Sequence, residues 1–140
     1  MTDHEFIRRT IALYAQLPDD QRWQDLGQLS HVDVVLPWAG TVLRGRQAIV
    51  AGLPAHEPPE PGRIKYFAYA PVIDIEGSEA SAWSEVIVSR VPASGAAEMS
   101  WVGRYHDRLR REQGHWRFWS HVAVRTGDPI PAGELPTPAG

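Results

Sequence analysis

Residues 101–124 read WVGRYHDRLRREQGHWRFWSHVAV, and this stretch decides the fold. Two runs rich in Trp, Tyr, Val and Phe flank the polar segment 110–115, which holds Gly114 near its end. Alternating runs of this kind around a polar, glycine-containing segment are typical of a long antiparallel hairpin.

The second strand of this hairpin has two faces, because successive side chains of a strand point to opposite sides of a sheet. Strict alternation predicts one face made of Trp116, Phe118, Val122 and Val124, and another made of Trp119, His121 and Ala123. Neither face is plainly polar, so we expect both faces to be at least partly shielded from solvent. We expect helices or a ligand cavity over one face, and another sheet or a second subunit over the other.

The composition is that of a chain of 140 residues with a formal net charge of -3 and no cysteine. This length fits one domain with a real core. The charge provides no basic footprint for nucleic acid or an anionic membrane, and the lack of cysteine excludes disulfides and thiolate sites. The N-terminus lacks the apolar core of a signal peptide, and no window approaches a membrane span. We therefore expect a soluble, cytoplasmic protein.

The N-terminal part of the chain predicts two helices joined as a hairpin. Apolar residues recur at helical spacing from Phe6 to Leu17, and Pro18 is expected to end the pattern. Asp19 or Asp20 is then expected to cap a second helix. The apolar positions of this second helix are Trp23, Leu26 and Leu29.

The rest of the chain predicts strands. Two short strands at 32–36 and 41–44 and a short helix at 47–53 precede a proline-rich loop at 54–62, a natural lid. Three long strand patterns follow, at 64–75, at 80–91 and from 101 onward. The tail 127–140 holds four prolines and three glycines, so we expect it to be extended or disordered.

This order of elements predicts an α+β fold in which one strongly curved antiparallel sheet wraps over the N-terminal helices. Residues 1–126 are expected to form one domain. Residues 127–140 are expected to form a Pro/Gly-rich tail outside it.

Four segments carry a resemblance to a known family: PDDQRWQDL at 18–26, TVLRGRQAIVAGL at 41–53, KYFAYAPVIDIEG at 65–77 and GRYHDRLRREQGHWRF at 103–118. In their order and spacing they resemble the SnoaL-like branch of the NTF2-like superfamily. That superfamily includes polyketide cyclases, scytalone dehydratase, ketosteroid isomerase and hexachlorocyclohexane dehydrochlorinase. The resemblance implies a cone-shaped fold with a central apolar pocket.

The resemblance also implies where an acid/base pair would lie. Similar members place an Asp between the first two helices and a His early on the first long strand. Asp19 matches the Asp, but Tyr66 stands where the His would be. Tyrosine, with a reference pKa of about 10, is a poor general base near neutral pH. His121 stands where the dehydrochlorinase has an active-site Arg, so we expect Asp19 and His121 to form the proton-transfer pair.

Other predicted site residues also follow from the resemblance. Tyr14 corresponds to the tyrosine that polarises the substrate carbonyl in ketosteroid isomerase, and Tyr66 would also stabilise an oxyanion. Trp38 falls at about the position of that isomerase's proton-abstracting carboxylate, and it would form an apolar wall of the pocket. Arg90 stands near a catalytic His of scytalone dehydratase and would anchor an enolate or carboxylate. The predicted substrate-binding set is Trp38, Arg90, Val102, Arg104 and Trp119.

Structural explanations exist for the same residues. Asp19 is also a good helix cap, and Tyr14 is a good core residue. His121 fits equally a partly buried, hydrogen-bonded histidine, and Arg90 fits an exposed strand end. His106 and Asp107 are adjacent on a strand and face opposite sides, so they do not pair with each other.

The remaining polar clusters predict no other function. The arginines from 104 to 111 are interspersed with acidic residues and come without a phosphate loop or RNA-binding aromatic motif. They are therefore expected to form a solvated hairpin tip. No cluster has convincing metal-ligand spacing, so we expect neither a metal nor another cofactor.

Two functional hypotheses remain. The first is a cofactor-independent lyase, isomerase or cyclase, in which Asp19 and His121 move a proton on a small hydrophobic carbonyl-type substrate while Tyr14 and Tyr66 stabilise the oxyanion. The alternative is a non-catalytic protein that binds an apolar ligand or only dimerises. In both cases a homodimer through the outer sheet face is expected.

Overall fold

A computed structural model describes residues 1–38, 40–56 and 63–129. The helices are α1 (Asp3–Asp19), α2 (Trp23–Gln28) and α3 (Arg46–Gly52), followed by a 3-10 turn at Pro54–His56. The strands are β1 (Ser30–Trp38), β2 (Thr41–Arg44), β3 (Ile64–Glu76), β4 (Glu79–Arg90), β5 (Glu98–Glu112) and β6 (His115–Arg125). These elements confirm the predicted α+β class and most of the predicted element order.

All six strands belong to one sheet with the order β2-β1-β6-β5-β4-β3. Four neighbouring pairs are antiparallel, whereas β1 runs parallel to β6. The sheet is therefore mixed, and the predicted antiparallel pairing holds for four of its five neighbouring strand pairs. Parallel pairing is open to β1 because it joins β6 only after a long intervening stretch of chain, and no tight turn links the two strands.

The helices at the N-terminus differ in detail from the sequence prediction. Helix α1 continues through Pro18 to Asp19, and Asp20 is its C-terminal cap. Pro18 has no backbone N–H, so α1 lacks one i→i−4 hydrogen bond in its last turn, and the helix ends one residue later. Helix α2 begins only at Trp23 and has no side-chain cap. Neither Asp19 nor Asp20 therefore caps α2, and the sequence prediction of that cap was wrong.

The hairpin of β5 and β6 turns tightly at Gln113 and Gly114, which both have positive φ values of 51° and 78°. A two-residue turn with two positive φ values matches the twist of an antiparallel hairpin. Near the turn Leu109 pairs with Phe118, but the next pair is Arg108 with Ser120. Trp119 is thus an extra residue, a β-bulge in β6.

The bulge changes the faces of β6. Beyond it, His121 and Ala123 return to the side occupied by Trp116 and Phe118, while Trp119 points to the opposite side with Val122. Strict alternation had placed Trp119 with His121 and apart from Phe118. One extra residue reverses the side on which every later residue of the strand lies.

The core lies between α1 and the inner face of the sheet. Ile7 and Ile11 of α1 pack with Leu109, Trp116 and Phe118 in one hydrophobic cluster of buried residues. Burial of a large apolar side chain stabilises a fold by about 1.5–3 kcal/mol. The core therefore fixes α1, which carries Tyr14, against β6, which carries His121.

The predicted lid at 54–62 and the predicted extended or disordered tail at 127–140 lie largely outside the described residues. No helix within 1–38, 40–56 and 63–129 is long and apolar enough to cross a membrane.

Candidate active site

A cavity of about 600 Å³ opens between the helices and the inner face of the sheet. This volume lies within the range of about 300–1,000 Å³ typical of small-molecule sites. Six of its lining residues are aromatic: Tyr14, Trp23, Trp38, Tyr66, Trp101 and Tyr105. Among the described residues, no Asp, Glu, Lys or Arg lines it, and His121 is its only histidine. The cavity lining is thus mainly apolar and aromatic, with one imidazole among the described residues.

His121 is held by a buried carboxylate. Its Nδ1 atom lies 2.5 Å from Oδ1 of Asp107, a hydrogen-bond distance. The two residues face each other across β5 and β6, in the register that follows the bulge. Their side chains are 7% and 0% exposed, respectively. The structure therefore contains a His-Asp pair beside the cavity.

Three aromatic rings surround the imidazole. The ring centroids of Tyr14, Tyr105 and Phe118 lie 4.5, 4.4 and 5.6 Å from that of His121. Packing of this kind restricts the rotation of the ring. Together with the Asp107 bond it leaves His121 little freedom to turn.

Burial governs the proton chemistry beside the cavity. It raises the pKa of the Asp107 carboxyl group, and the neighbouring His121 opposes this effect. Burial also raises the pKa of the Tyr14 phenol, and the nearby Asp107 charge adds to the shift. Desolvation disfavours the charged form of an acid in both cases. Tyr14 therefore remains a neutral phenol and a hydrogen-bond donor.

The geometry allows the imidazole to exchange a proton with a bound molecule. Nδ1 of His121 is hydrogen-bonded to Asp107, and no described residue forms a hydrogen bond to Nε2 of His121. A carboxylate bound to one ring nitrogen fixes the ring orientation and determines which proton the other nitrogen can take or give. His121 lines the cavity, and Nε2 is the ring nitrogen that the Asp107 contact leaves available for a ligand.

Four of the sequence-predicted site residues line the cavity together: Tyr14, Trp38, Tyr66 and His121. Asp19 is not among the lining residues. Its Oδ1 atom accepts a hydrogen bond of 3.0 Å from the backbone N–H of Tyr66, and its Oδ2 atom lies 2.6 Å from Nζ of Lys65. The expected pairing of Asp19 with His121 is therefore not formed in the structure.

The other predicted substrate-binding residues lie away from the cavity. Arg104 points outward and binds Glu85 through Nε and Nη2 at 3.0 and 2.6 Å. Trp119 lies on the outer face, where the guanidinium of Arg110 stacks 4.0 Å from its ring centroid. Val102 and Arg90 are exposed residues of β5 and β4 that do not line the cavity. The positions 102 and 104 face outward because Tyr105 and Asp107 face inward.

Sequence reasoning missed two central residues, Asp107 and Tyr105. Both share the inward alternation of β5, which was a usable signal. Asp107 was considered only with its sequence neighbour His106, whose ring packs instead against Trp83 at 5.2 Å. The pairing of Asp107 with His121 depends on the bulge at Trp119, which the sequence does not reveal.

No group of three or more His, Asp or Glu side chains within the described ranges is arranged to hold a metal ion.

Comparisons with known proteins agree on the architecture. Residues 1–122 match the family model of the SnoaL-like domain. No curated protein sequence matches the chain. Among solved structures, an NTF2-like protein with a cystatin-like fold from Novosphingobium aromaticivorans is 25% identical, with a TM-score of 0.79 over 91% of this chain and 84% of that protein.

Two more distant structures share the fold. ActVI-ORFA from Streptomyces coelicolor is 16% identical, with a TM-score of 0.78 over 88% of this chain and 96% of its own. A protein from Catenulispora acidiphila, solved in complex with S-DNPA, is 19% identical, with a TM-score of 0.77 over 87% of this chain and 92% of its own. The expected NTF2-like fold is thus confirmed, and the chain belongs to the family of SnoaL-like domains.

Proposed function

We propose that this protein is a cofactor-independent enzyme that moves a proton on a small, hydrophobic carbonyl compound, in the manner of a lyase, isomerase or cyclase. The observation that carries the proposal is the buried Asp107–His121 hydrogen bond of 2.5 Å beside an apolar cavity. A histidine oriented by a carboxylate is a common general acid/base in enzymes.

The proposed step starts when Nε2 of His121 takes a proton from a carbon atom next to the substrate carbonyl. The electrons of the C–H bond move into an enolate, and the negative charge collects on the carbonyl oxygen. The same imidazolium then returns its proton to a carbon or an oxygen atom of the intermediate. Asp107 stabilises the transient positive charge on the ring, because its carboxyl group contacts Nδ1.

The enolate oxygen needs a hydrogen-bond donor in this apolar setting. Tyr14 supports that role, because its phenol stays protonated and its ring lies 4.5 Å from the imidazole. Tyr66 lines the same cavity and is the second candidate. A donor aimed at developing charge is worth more in a dry site than in water.

Family membership agrees with this proposal without naming a reaction. SnoaL-like domains include cofactor-independent cyclases and isomerases, and a relative of this fold binds S-DNPA. Trp38 lines the cavity, which supports a role as apolar surface for a ring-containing substrate.

The alternative function is ligand binding without chemistry. The observation that favours it is the tight packing of His121 among Tyr14, Tyr105 and Phe118, which also suits a structural histidine. The two functions share the same cavity. They differ only in whether His121 exchanges protons with the ligand.

A proton-exchange assay separates the two functions. 2-Tetralone is a small hydrophobic ketone, and loss of its C1 protons in D₂O is followed by NMR. We expect the wild-type protein to accelerate the exchange, and His121→Gln to reduce the acceleration by about 10²–10⁴-fold.

His106→Gln is the matched control. It removes another buried imidazole of the same sheet, but His106 does not line the cavity. It should leave the exchange close to the wild-type rate. Tetralone that binds to the wild type, as shown by tryptophan fluorescence, but exchanges no faster than in buffer would favour the binding protein over the enzyme.

A further inference from the structure

We propose that Asp19 is a positioning residue: its carboxylate clamps the start of β3 and so holds the cavity wall at Tyr66, and it takes no part in proton transfer. The kinetic arm of the test below rests on the proposed function. The structural arm does not.

Both oxygens of Asp19 are engaged by the same strand. Oδ1 accepts the backbone N–H of Tyr66 at 3.0 Å, and Oδ2 forms an ion pair of 2.6 Å with Nζ of Lys65. The Asp19 side chain is only 5% exposed, whereas that of Lys65 is 49% exposed. The carboxylate is therefore held from two sides at the junction of α1 and β3.

The position of β3 explains the need for such a clamp. Within the described part of the chain, β3 is the last strand of the sheet and pairs only with β4. An edge strand presents N–H groups that no neighbouring strand can satisfy. Asp19 supplies the acceptor for one of these groups, that of Tyr66, and so ties the open edge of β3 to the end of α1.

The electrostatics also favour a structural role. Asp19 is the last residue of α1, and no basic residue lies in the last turn of that helix. The C-terminal end of a helix carries partial negative charge and disfavours a carboxylate. Lys65 supplies the missing positive charge from β3. The ion pair therefore links the helix end to the strand.

The clamp acts on the cavity through Tyr66. Asp19 itself does not line the cavity, but Tyr66, whose backbone it binds, does. A group that transfers a proton has to reach the substrate, within about 2.6–3.2 Å or through one water. Asp19 instead holds the backbone of Tyr66 in position, and the Tyr66 side chain forms part of the cavity wall.

Three variants separate positioning from proton transfer. Asp19→Asn keeps an oxygen that can accept the Tyr66 N–H but loses the charge. Asp19→Ala removes both contacts, and Lys65→Met removes only the ion pair. Asp20→Ala is the matched control, because Asp20 is the adjacent, exposed aspartate.

The structural readout is amide hydrogen exchange at Tyr66, measured by NMR. Asp19→Ala should speed this exchange by about tenfold, the factor that corresponds to one ordinary hydrogen bond. Asp19→Asn and the Asp20→Ala control should leave it close to the wild-type rate. Unchanged protection of Tyr66 in a folded Asp19→Ala protein would overturn the clamp, whether or not the protein is an enzyme.

The kinetic readout is 2-tetralone exchange as a function of tetralone concentration. Asp19→Asn and Lys65→Met should keep the saturated rate within the wild-type order of magnitude, and Asp19→Ala should act mainly by raising the half-saturating concentration. A saturated rate that falls by about 10²-fold or more in Asp19→Asn, with unchanged tetralone affinity and Tyr66 protection, would make Asp19 a proton-transfer group and overturn the inference.

Discussion

Asp107 is the site residue that lowers the stability of the fold, because its side chain is fully buried beside the cavity. One of its oxygens bonds to His121, and the other has no hydrogen-bond partner among the described residues. A buried, incompletely satisfied carboxylate destabilises a fold when it is ionised. The protein therefore retains at its site a residue that its fold alone would not favour.

This cost predicts a pH-dependent stability difference for Asp107→Asn. Burial raises the pKa of Asp107 in the folded state, so the folded protein binds this proton more readily than the unfolded chain. The stability that this proton contributes is complete below the unfolded pKa of about 3.9 and is lost as the pH rises through the folded pKa. The asparagine variant has no such loss.

The measurement is urea unfolding of the wild type and Asp107→Asn at pH values from 4 upward, in roughly unit steps. We expect the free energy of unfolding of the wild type to fall relative to the variant as the pH rises. His121, which bonds to the carboxyl group, and more weakly His106 on the opposite face of the strand lower the pKa of Asp107 and so moderate the effect. A difference that stays constant, or that changes in favour of the wild type, would show that the carboxylate is well stabilised where it lies.

At the scale of the strand, the bulge at Trp119 decides which residues meet. Without it, the pairing that starts at Glu112 with His115 would continue and place Ser120, not His121, opposite Asp107. The extra residue moves His121 into register with Asp107, and Arg110 covers the displaced Trp119 on the outer face. The bulge is therefore a structural requirement of the His-Asp pair.

The elements themselves were largely predictable from local patterns. Apolar periodicity indicated α1, and the alternating runs around Gly114 indicated the β5–β6 hairpin, both of which the structure contains. These signals are local, because each depends on residues within a few positions of one another. The continuation of α1 through Pro18 was not predicted, because a proline in a helical pattern usually ends the helix at the preceding residue.

The site was predictable only in part, because local signals do not show which residues of two neighbouring strands meet. Tyr14, Trp38, Tyr66 and His121 were identified from a resemblance and do line one cavity. The partner of His121 depends on the pairing register of two strands, which one extra residue changes. Only the three-dimensional structure therefore identifies Asp107, rather than Asp19, as the partner of His121.

At the scale of the whole molecule, the residues that the structure describes leave the outer face of the sheet uncovered. Phe67, Tyr69 and Val72 of β3 are each about half exposed, and Val102 of β5 is 38% exposed. Phe67 and Val102 lie in one row across the sheet, with Ile87 of β4 between them. A contiguous apolar row of this kind is typical of an interface between subunits.

We accordingly predict a symmetric homodimer through this face. Light scattering at micromolar concentration should give about twice the chain mass of 15.6 kDa. Phe67→Asp should give the monomer mass and leave tetralone binding unchanged, since Phe67 does not line the cavity. A wild-type protein that scatters as a monomer would contradict this assembly.

The central claim is that His121 and Asp107 act as one proton-transfer unit, and a double-variant cycle tests it most directly. The saturated 2-tetralone exchange rate is measured for the wild type, His121→Gln, Asp107→Asn and the protein that carries both changes. Once His121 is gone Asp107 has no imidazole to orient, so the double variant should lose little more than His121→Gln alone, which loses about 10²–10⁴-fold. Losses that multiply, or an exchange rate in His121→Gln equal to that of the wild type, would contradict the account.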